Sequence, residues 1–187
     1  MKVYIKNMVC NRCIMAVDNV FKQSGHFPEN VSLGEVDLVD DLDDQEMKDI
    51  GKELQRLGFE IIDDAKSRII EKIKNIVVRQ IHHSDGAMKI NYSTLIESEL
   101  HKDYNYLSSL FSAITGTTIE KYIIDQKIER VKELLVYNEL TLSEIAFSMG
   151  YSSVAHLSNQ FKKVTGLTPS HFKEIGSNKR KPLDEVM

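Results

Sequence analysis

The sequence predicts an α+β chain, in which a small α/β sandwich precedes an all-α domain with two helix-turn-helix units joined by a central helix. Three observations predict it. The apolar residues of the first sixty positions switch between the period of a strand and that of a helix. Everything past residue 90 keeps the helical period, and one stretch of sixteen residues recurs fifty positions later.

In the opening MKVYIKNM, Val3, Ile5 and Met8 alternate with polar residues, whereas Ile14, Val17, Val20 and Phe21 fall at helical spacing. After Gly25 and Pro28, the segment VSLGEVDLV alternates again, and Gly34 marks either a bulge or a very tight hairpin turn. Asp43 or Asp44 caps a helix with the stripe Met47, Ile50, Leu54 and Leu57, which ends at Gly58 before the strand-like FEII. The order is β-α-β(β)-α-β over a domain at 1–64. Residues 65–83 read as a connecting helix, with Ile69, Ile73, Ile76, Val77 and Ile81 on one stripe, merging into a domain at 84–175.

Beyond the loop SDGAMKINY, Thr94 to Glu97 and Thr141 to Glu144 both read as T-x-x-E capping boxes. A long helix starts after Thr118, with Ile119, Tyr122, Ile123, Val131, Leu134 and Leu135 as its core face, until Asn138 and Glu139 break the pattern. The tail at 176–187 is basic, with three consecutive cations, and reads as flexible and solvated.

Composition bounds the rest. At 187 residues and 42% hydrophobic content the chain builds a core, and no apolar leader or run of about 18 apolar residues points to secretion or a membrane span, so a cytoplasmic location is expected. The net charge of -4 is unevenly spread: residues 1–64 hold 7 Lys+Arg against 14 Asp+Glu, and residues 65–187 hold 17 against 14. An acidic half masks a mildly basic one. An enzyme is not expected, since no Gly-rich phosphate loop, acid/base pair or nucleophile constellation is present.

The repeat sets LSSLFSAITGTTIEKY (107–122) against LSNQFKKVTGLTPSHF (157–172). Leu107 aligns with Leu157, Phe111 with Phe161, Thr115 with Thr165, Gly116 with Gly166, Thr118 with Thr168 and Tyr122 with Phe172. One supersecondary unit is therefore used twice. In the second copy, LSEIAFSMGYSSVAHLSNQF is a short helix, a turn at Gly150 and a second helix, which is helix-turn-helix geometry. That second helix offers Ser152, Ser153, His156, Asn159, Gln160 and Lys163 as donors and acceptors for base edges. The first copy offers Asn105, Tyr106, Ser109 and Ser112, without a cation. Lys121, Lys127, Arg130, Lys162 and Lys163, with the free amides of the helix N-terminus at Thr168-Pro169, are the candidates for gripping phosphate. A helical bundle with a solvated polar stripe is the competing reading, and the duplication, the turn glycine and the shared polar face argue against it.

The stretch IAFSMGYSSVAHLSNQFKKVTGLTPSHFK resembles the second helix-turn-helix and closing signature of the AraC/XylS family, and residues from about 70 to 175 resemble its DNA-binding domain. The resemblance implies seven helices, recognition helices at about 104–114 and 153–164 in adjacent major grooves of double-stranded DNA, and no cofactor required for binding. Three residues depart from the family pattern: Leu157 stands where Phe is usual, Asn159 where Arg or Lys is common, and Lys173 where Arg is frequent. Leu for Phe changes packing, whereas Asn159 exchanges a cation for an amide suited to adenine.

NMVCNRC lies where a strand turns into a helix, so Cys10 and Cys13 sit at a helix N-terminus beside Arg12, a setting that favours thiolates. The segment resembles the M-x-C-x-x-C loop of heavy-metal-associated domains, small ferredoxin-like modules that carry copper(I) or zinc. Asn7 stands where those modules usually have Gly, and VSLGEVDLV is short for two full strands. Two thiolates half-fill a zinc shell and suit copper(I), a site shared across a homodimer, or a transient site. A redox CxxC and a plain pair of half-buried thiols remain alternatives, as does a metal-carrying or thiol-redox protein whose helical domain is a protein-interaction platform. Two further features read as helix-end electrostatics: His82 and His83 as cations at a C-terminus, and the Asp40 to Asp44 run as an N-terminal cap.

Overall fold

The computed structural model describes residues 1–83 and 91–175. Most of the expected loop before residue 92 and the basic tail at 176–187 lie outside them. The chain divides into two compact units, Met1–Ile76 and Val77–Met187.

The first unit runs β1 (Lys2–Lys6), α1 (Asn11–Gln23), β2 (Pro28–Ser32), β3 (Glu35–Leu38), α2 (Asp44–Arg56) and β4 (Glu60–Ile61). The strands form one antiparallel sheet in the order β2-β3-β1-β4. Alternation sends Val3, Ile5, Val36 and Leu38 to one face, where they pack with Val17, Val20, Phe21, Ile50 and Leu54 of the two helices. Leu57, expected on that stripe, is 54% exposed, because α2 has ended at Arg56 and Leu57 is its C-cap.

VSLGEVDLV is a hairpin rather than a bulged strand: Ser32 pairs with Glu35 across a two-residue turn. Gly34 is fixed there twice over. Its φ is +85°, and an added Cβ would lie 2.4 Å from Asn75 Nδ2, which donates to Leu33 O at 3.0 Å. Asn7 has φ 72° and donates from Nδ2 to Gly58 O at 2.9 Å. A left-handed residue is required at that turn, and Asn is among the few side chains that tolerate it.

The helix α3 (Ala65–His82) contributes its first twelve residues to the first unit. Lys72 pairs with Glu35, and Arg68 stacks over Tyr4 at 4.6 Å, so the polar face of the sheet is covered by cations. Ile73, Ile76, Val77 and Ile81 are buried as their spacing implied. Ile70 and Val78 are buried too, because this helix is apolar over more than one stripe.

The second unit holds α4 (Tyr92–Leu100), α5 (Tyr104–Thr115), α6 (Ile119–Tyr137), α7 (Leu142–Ser148), α8 (Val154–Thr165) and α9 (Pro169–Ile175). Thr141 and Glu144 form the expected capping box. Thr94 and Glu97 do not: α4 begins a turn earlier, capped by Asn91, whose side chain accepts from Thr94 N. Glu97 instead accepts from Tyr104 N at 2.7 Å, which ties α4 to the start of α5. On α6, Ile119, Tyr122, Val131 and Leu135 are buried as expected, and so are Ile128 and the polar Asp125, Gln126, Glu129 and Lys132.

Candidate nucleic-acid interface

The sixteen-residue repeat is a repeat of contacts. Asp103 caps α5 by accepting from Tyr106 N at 3.1 Å, and Ser153 caps α8 by accepting from His156 N at 3.1 Å. At the far ends, Thr115 Oγ1 donates to Phe111 O and Thr165 Oγ1 to Phe161 O, each at 2.8 Å. Gly116 and Gly166 then close their helices at φ 72° and 78°. Phe111 packs on Tyr122 with ring centroids 5.8 Å apart, and Phe161 on Phe172 at 5.5 Å. Each of α5 and α8 is thus fixed at both ends and along one buried edge.

The opposite edges face solvent. On α8, Ala155, His156, Asn159, Lys162 and Lys163 are exposed. On α5, the residues fifty positions earlier are Asn105, Tyr106, Ser109 and Ala113, all exposed, and Ser112, half-buried. Two α8 candidates have internal duties as well. Ser153 is the cap, and Gln160 Oε1 accepts from Tyr151 OH at 2.6 Å, which leaves the amide NH₂ as the donor that Gln160 can offer a base. Ser152 Oγ and His156 Nδ1 lie 3.1 Å apart, and the His156 ring stands edge-on to Tyr151 at 5.2 Å. Both contacts orient the imidazole.

The candidate phosphate cations separate into two groups. Lys162 and Lys163 stand exposed in the last turn of α8. Lys121 pairs with Asp125, and Arg130 donates to Glu133 Oε2 at 2.6 Å. Lys127 is placed differently from expectation. It is half-buried, donates from Nζ to Met149 O at 2.9 Å, and lies 5.8 and 5.5 Å from the rings of Tyr92 and Tyr151. Burial lowers its pKa from the usual lysine value and raises that of Tyr92 to about 12. These contacts tie α6 to the C-cap of α7. At the start of α9, Thr168 Oγ1 accepts from His171 N and Pro169 has no N–H, which reduces the amides available there for an anion.

Sequence reasoning also missed the wiring around α6. His82 is no helix-end cation: burial takes its pKa from 6.5 to about 4, so it is neutral at pH 7. Its Nε2 lies 3.0 Å from Gln126 Oε1, and Gln126 Nε2 donates to the Tyr122 hydroxyl at 3.1 Å. Lys132 pairs with Glu129 within the same helix. A helix contacted by α5, α7, α8 and α9 has little free surface, so its polar residues must be buried and satisfied in place.

In the first unit, Cys10 is the N-cap of α1 and its Sγ lies 3.4 Å from that of Cys13. Both are half-buried free thiols. Burial pushes the Cys13 thiol up, the reverse of the expected thiolate bias. Among the described residues no group of three or more His, Cys, Asp or Glu is placed to hold a metal ion. Among them, too, no helix is long and apolar enough to cross a membrane.

Two copies of one helix-turn-helix, each presenting the exposed edge of its second helix, define a helix-turn-helix domain. Residues 97–175 match the family model described as "Helix-turn-helix domain". The Msm operon regulatory protein of Streptococcus mutans is 32% identical over 102 residues, covering 54% of this chain and 36% of that protein. The C-terminal domain of AraT, a response regulator from Geobacillus stearothermophilus, superposes with TM-score 0.51 at 22% identity, over 63% of this chain and 95% of that one. An AraC-type DNA-binding domain protein from Chromobacterium violaceum gives TM-score 0.50 at 19% identity, over 62% and 99%. The two structural likenesses establish the fold. The relatives are transcriptional regulators, a non-enzymatic class, and this chain spans between 15% and 36% of the length of three of the curated ones it matches.

Proposed function

We propose that the chain is a cytoplasmic, sequence-specific transcription regulator whose helices α5 and α8 enter adjacent major grooves of double-stranded DNA, about 34 Å apart. The observation that carries this reading is the exposed edge presented twice, at an offset of fifty residues, on one duplicated skeleton. Asn159 and His156 supply base-edge contacts, and Lys162 and Lys163 supply phosphate contacts. The test is a mobility shift on duplexes selected from a random library. Salt titration then gives a slope expected to fall by about one for each of Lys162→Ala and Lys163→Ala. Equal affinity for selected and unselected duplexes counts against it, and favours the helical unit as a protein-interaction platform.

For the first unit we propose a ferredoxin-like module that senses metal or redox state or joins two copies of the chain. The order β2-β3-β1-β4 with both helices on one face supports the fold. The 3.4 Å approach of the Cys10 and Cys13 sulfurs supports a soft monovalent ion held by two thiolates, and a pair of donors falls short of the four that zinc prefers. Titration of the reduced chain with copper(I), alongside DNA affinity of wild type and a Cys10→Ser/Cys13→Ser variant, tests both arms. Unchanged affinity throughout leaves the thiols a structural pair.

A further inference from the structure

We infer that α5 reads an A·T-rich half-site, recognising thymine methyl groups and adenine edges. The inference rests on the DNA-binding reading above and specifies its ligand. Direct readout in the major groove pairs side chains with bases by chemistry: Arg or Lys with guanine O6 and N7, Asp or Glu with the cytosine amine, Asn or Gln with adenine, and apolar groups with the thymine methyl. From Tyr104 to Thr115, α5 contains no Arg, Lys, Asp or Glu. The charged side chains that read guanine and cytosine most strongly are absent from it.

What its exposed edge offers is the complement. Asn105 brings an amide, Ser109 and Ser112 bring hydroxyls that suit either base of a pair, and Ala113 and Tyr106 bring apolar surface, Tyr106 being 49% exposed. The other tyrosine at this end, Tyr104, is committed through its hydroxyl to Glu120 Oε1 at 2.6 Å. Ahead of the helix, Asp103 is spent as its cap, and Lys102 lies in the turn. The duplicated skeleton supplies the internal reference. The positions equivalent to Ser112 and Ala113 are Lys162 and Lys163, so the same backbone sites carry cations in α8 and a hydroxyl and a methyl in α5.

The experiment uses the full chain and a duplex selected from a random-sequence library. Tyr106→Ala and His156→Ala, both at exposed positions, assign one half of the selected site to each helix. The α5 half is expected to be A·T-rich, and replacing its thymines by deoxyuracil is expected to weaken binding about fourfold per contacted methyl, the equivalent of about 0.8 kcal/mol for a buried CH₂. The same replacement in the α8 half serves as the control. Ala113→Lys, which copies the second unit, is expected to add one phosphate contact, steepening the salt dependence by about one and leaving the preferred bases of the α5 half unchanged. A G·C-rich α5 half, or affinity indifferent to deoxyuracil there, overturns the inference and leaves DNA binding standing. Failure to select any site overturns the DNA-binding reading, and the inference with it.

Discussion

Leu107 and Phe111 of α5, and Leu157 and Phe161 of α8, are all sealed from solvent, each set behind the same threonine, glycine and aromatic ring. On the outer edge the correspondence ends: Tyr106, Ser109, Ser112 and Ala113 stand where the second copy has His156, Asn159, Lys162 and Lys163. Buried positions answer to packing, which is the same problem in both copies. Exposed positions answer to whatever docks on them, and there the two copies have diverged. The second copy carries the cations and the oriented imidazole, and the first presents a neutral edge.

The largest test of the shared skeleton is Phe111→Ala against Phe161→Ala. Each removes a fully buried ring, and each is expected to cost about 3–5 kcal/mol in urea unfolding. Costs that differ by more than about 2 kcal/mol would show that the copies are not equivalent inside. The next effect belongs to the surroundings of the first copy, since Tyr122, which packs on Phe111, is bonded to Gln126 and through it to His82. The pKa of His82 is near 4 folded and 6.5 in the unfolded chain, so the unfolded chain takes up the proton first. Stability is intact above about pH 7 and is lost as pH falls from 6.5 towards 4, by up to about 3 kcal/mol. His82→Asn is expected to flatten that part of the acid dependence, read as the difference between variants in urea midpoint at pH 7 and pH 4.5.

Lys127 distinguishes the copies in the other direction. Lys127→Met keeps the aliphatic stem but removes the bond to Met149 O and the charge between Tyr92 and Tyr151. A loss of about 1–2 kcal/mol is expected. Amide exchange should rise first around α7 and α8, whose turn the lysine bonds at Met149 O. Uniform loss of protection across α5 and α8 would argue that Lys127 supports the whole bundle alike.

Features decided by local chemistry were legible in the sequence: the stripes of α1 and α3, the caps at Thr141 and at one of Asp43 and Asp44, and the repeat with its two equivalent helices. Features decided by neighbours were hidden. Thr94 has the right partner for a capping box at Glu97, but Asn91 competes three residues earlier and Glu97 is drawn to Tyr104 N. Lys127 and His82 look like surface cations until the elements packed over them are known. Of the fourteen residues expected to touch DNA, Lys127 is half-buried and bonded to Met149 O, Ser153 caps α8, Lys121 and Arg130 are paired with carboxylates, and Gln160 is half engaged. The Cys13 thiol shows the same limit, since its helix-end position argued for a thiolate and its burial argues against one.

The finest comparison is between Gly116 and Gly166. Both end the second helix of a helix-turn-helix in the left-handed region, at φ 72° and 78°, and an added Cβ would meet nothing within 4 Å at either. Alanine there costs only the backbone conformation, with no steric clash, so Gly116→Ala and Gly166→Ala should each lose about 1 kcal/mol. In a unit of this size that is a fall of roughly 4–8 °C in Tm by circular dichroism. Equal falls are expected because the two sites share one cause. A fall at Gly166 alone would mean that the first helix end relaxes out of its left-handed turn at little cost, and that the skeleton itself, and not only its exposed edge, has diverged between the copies.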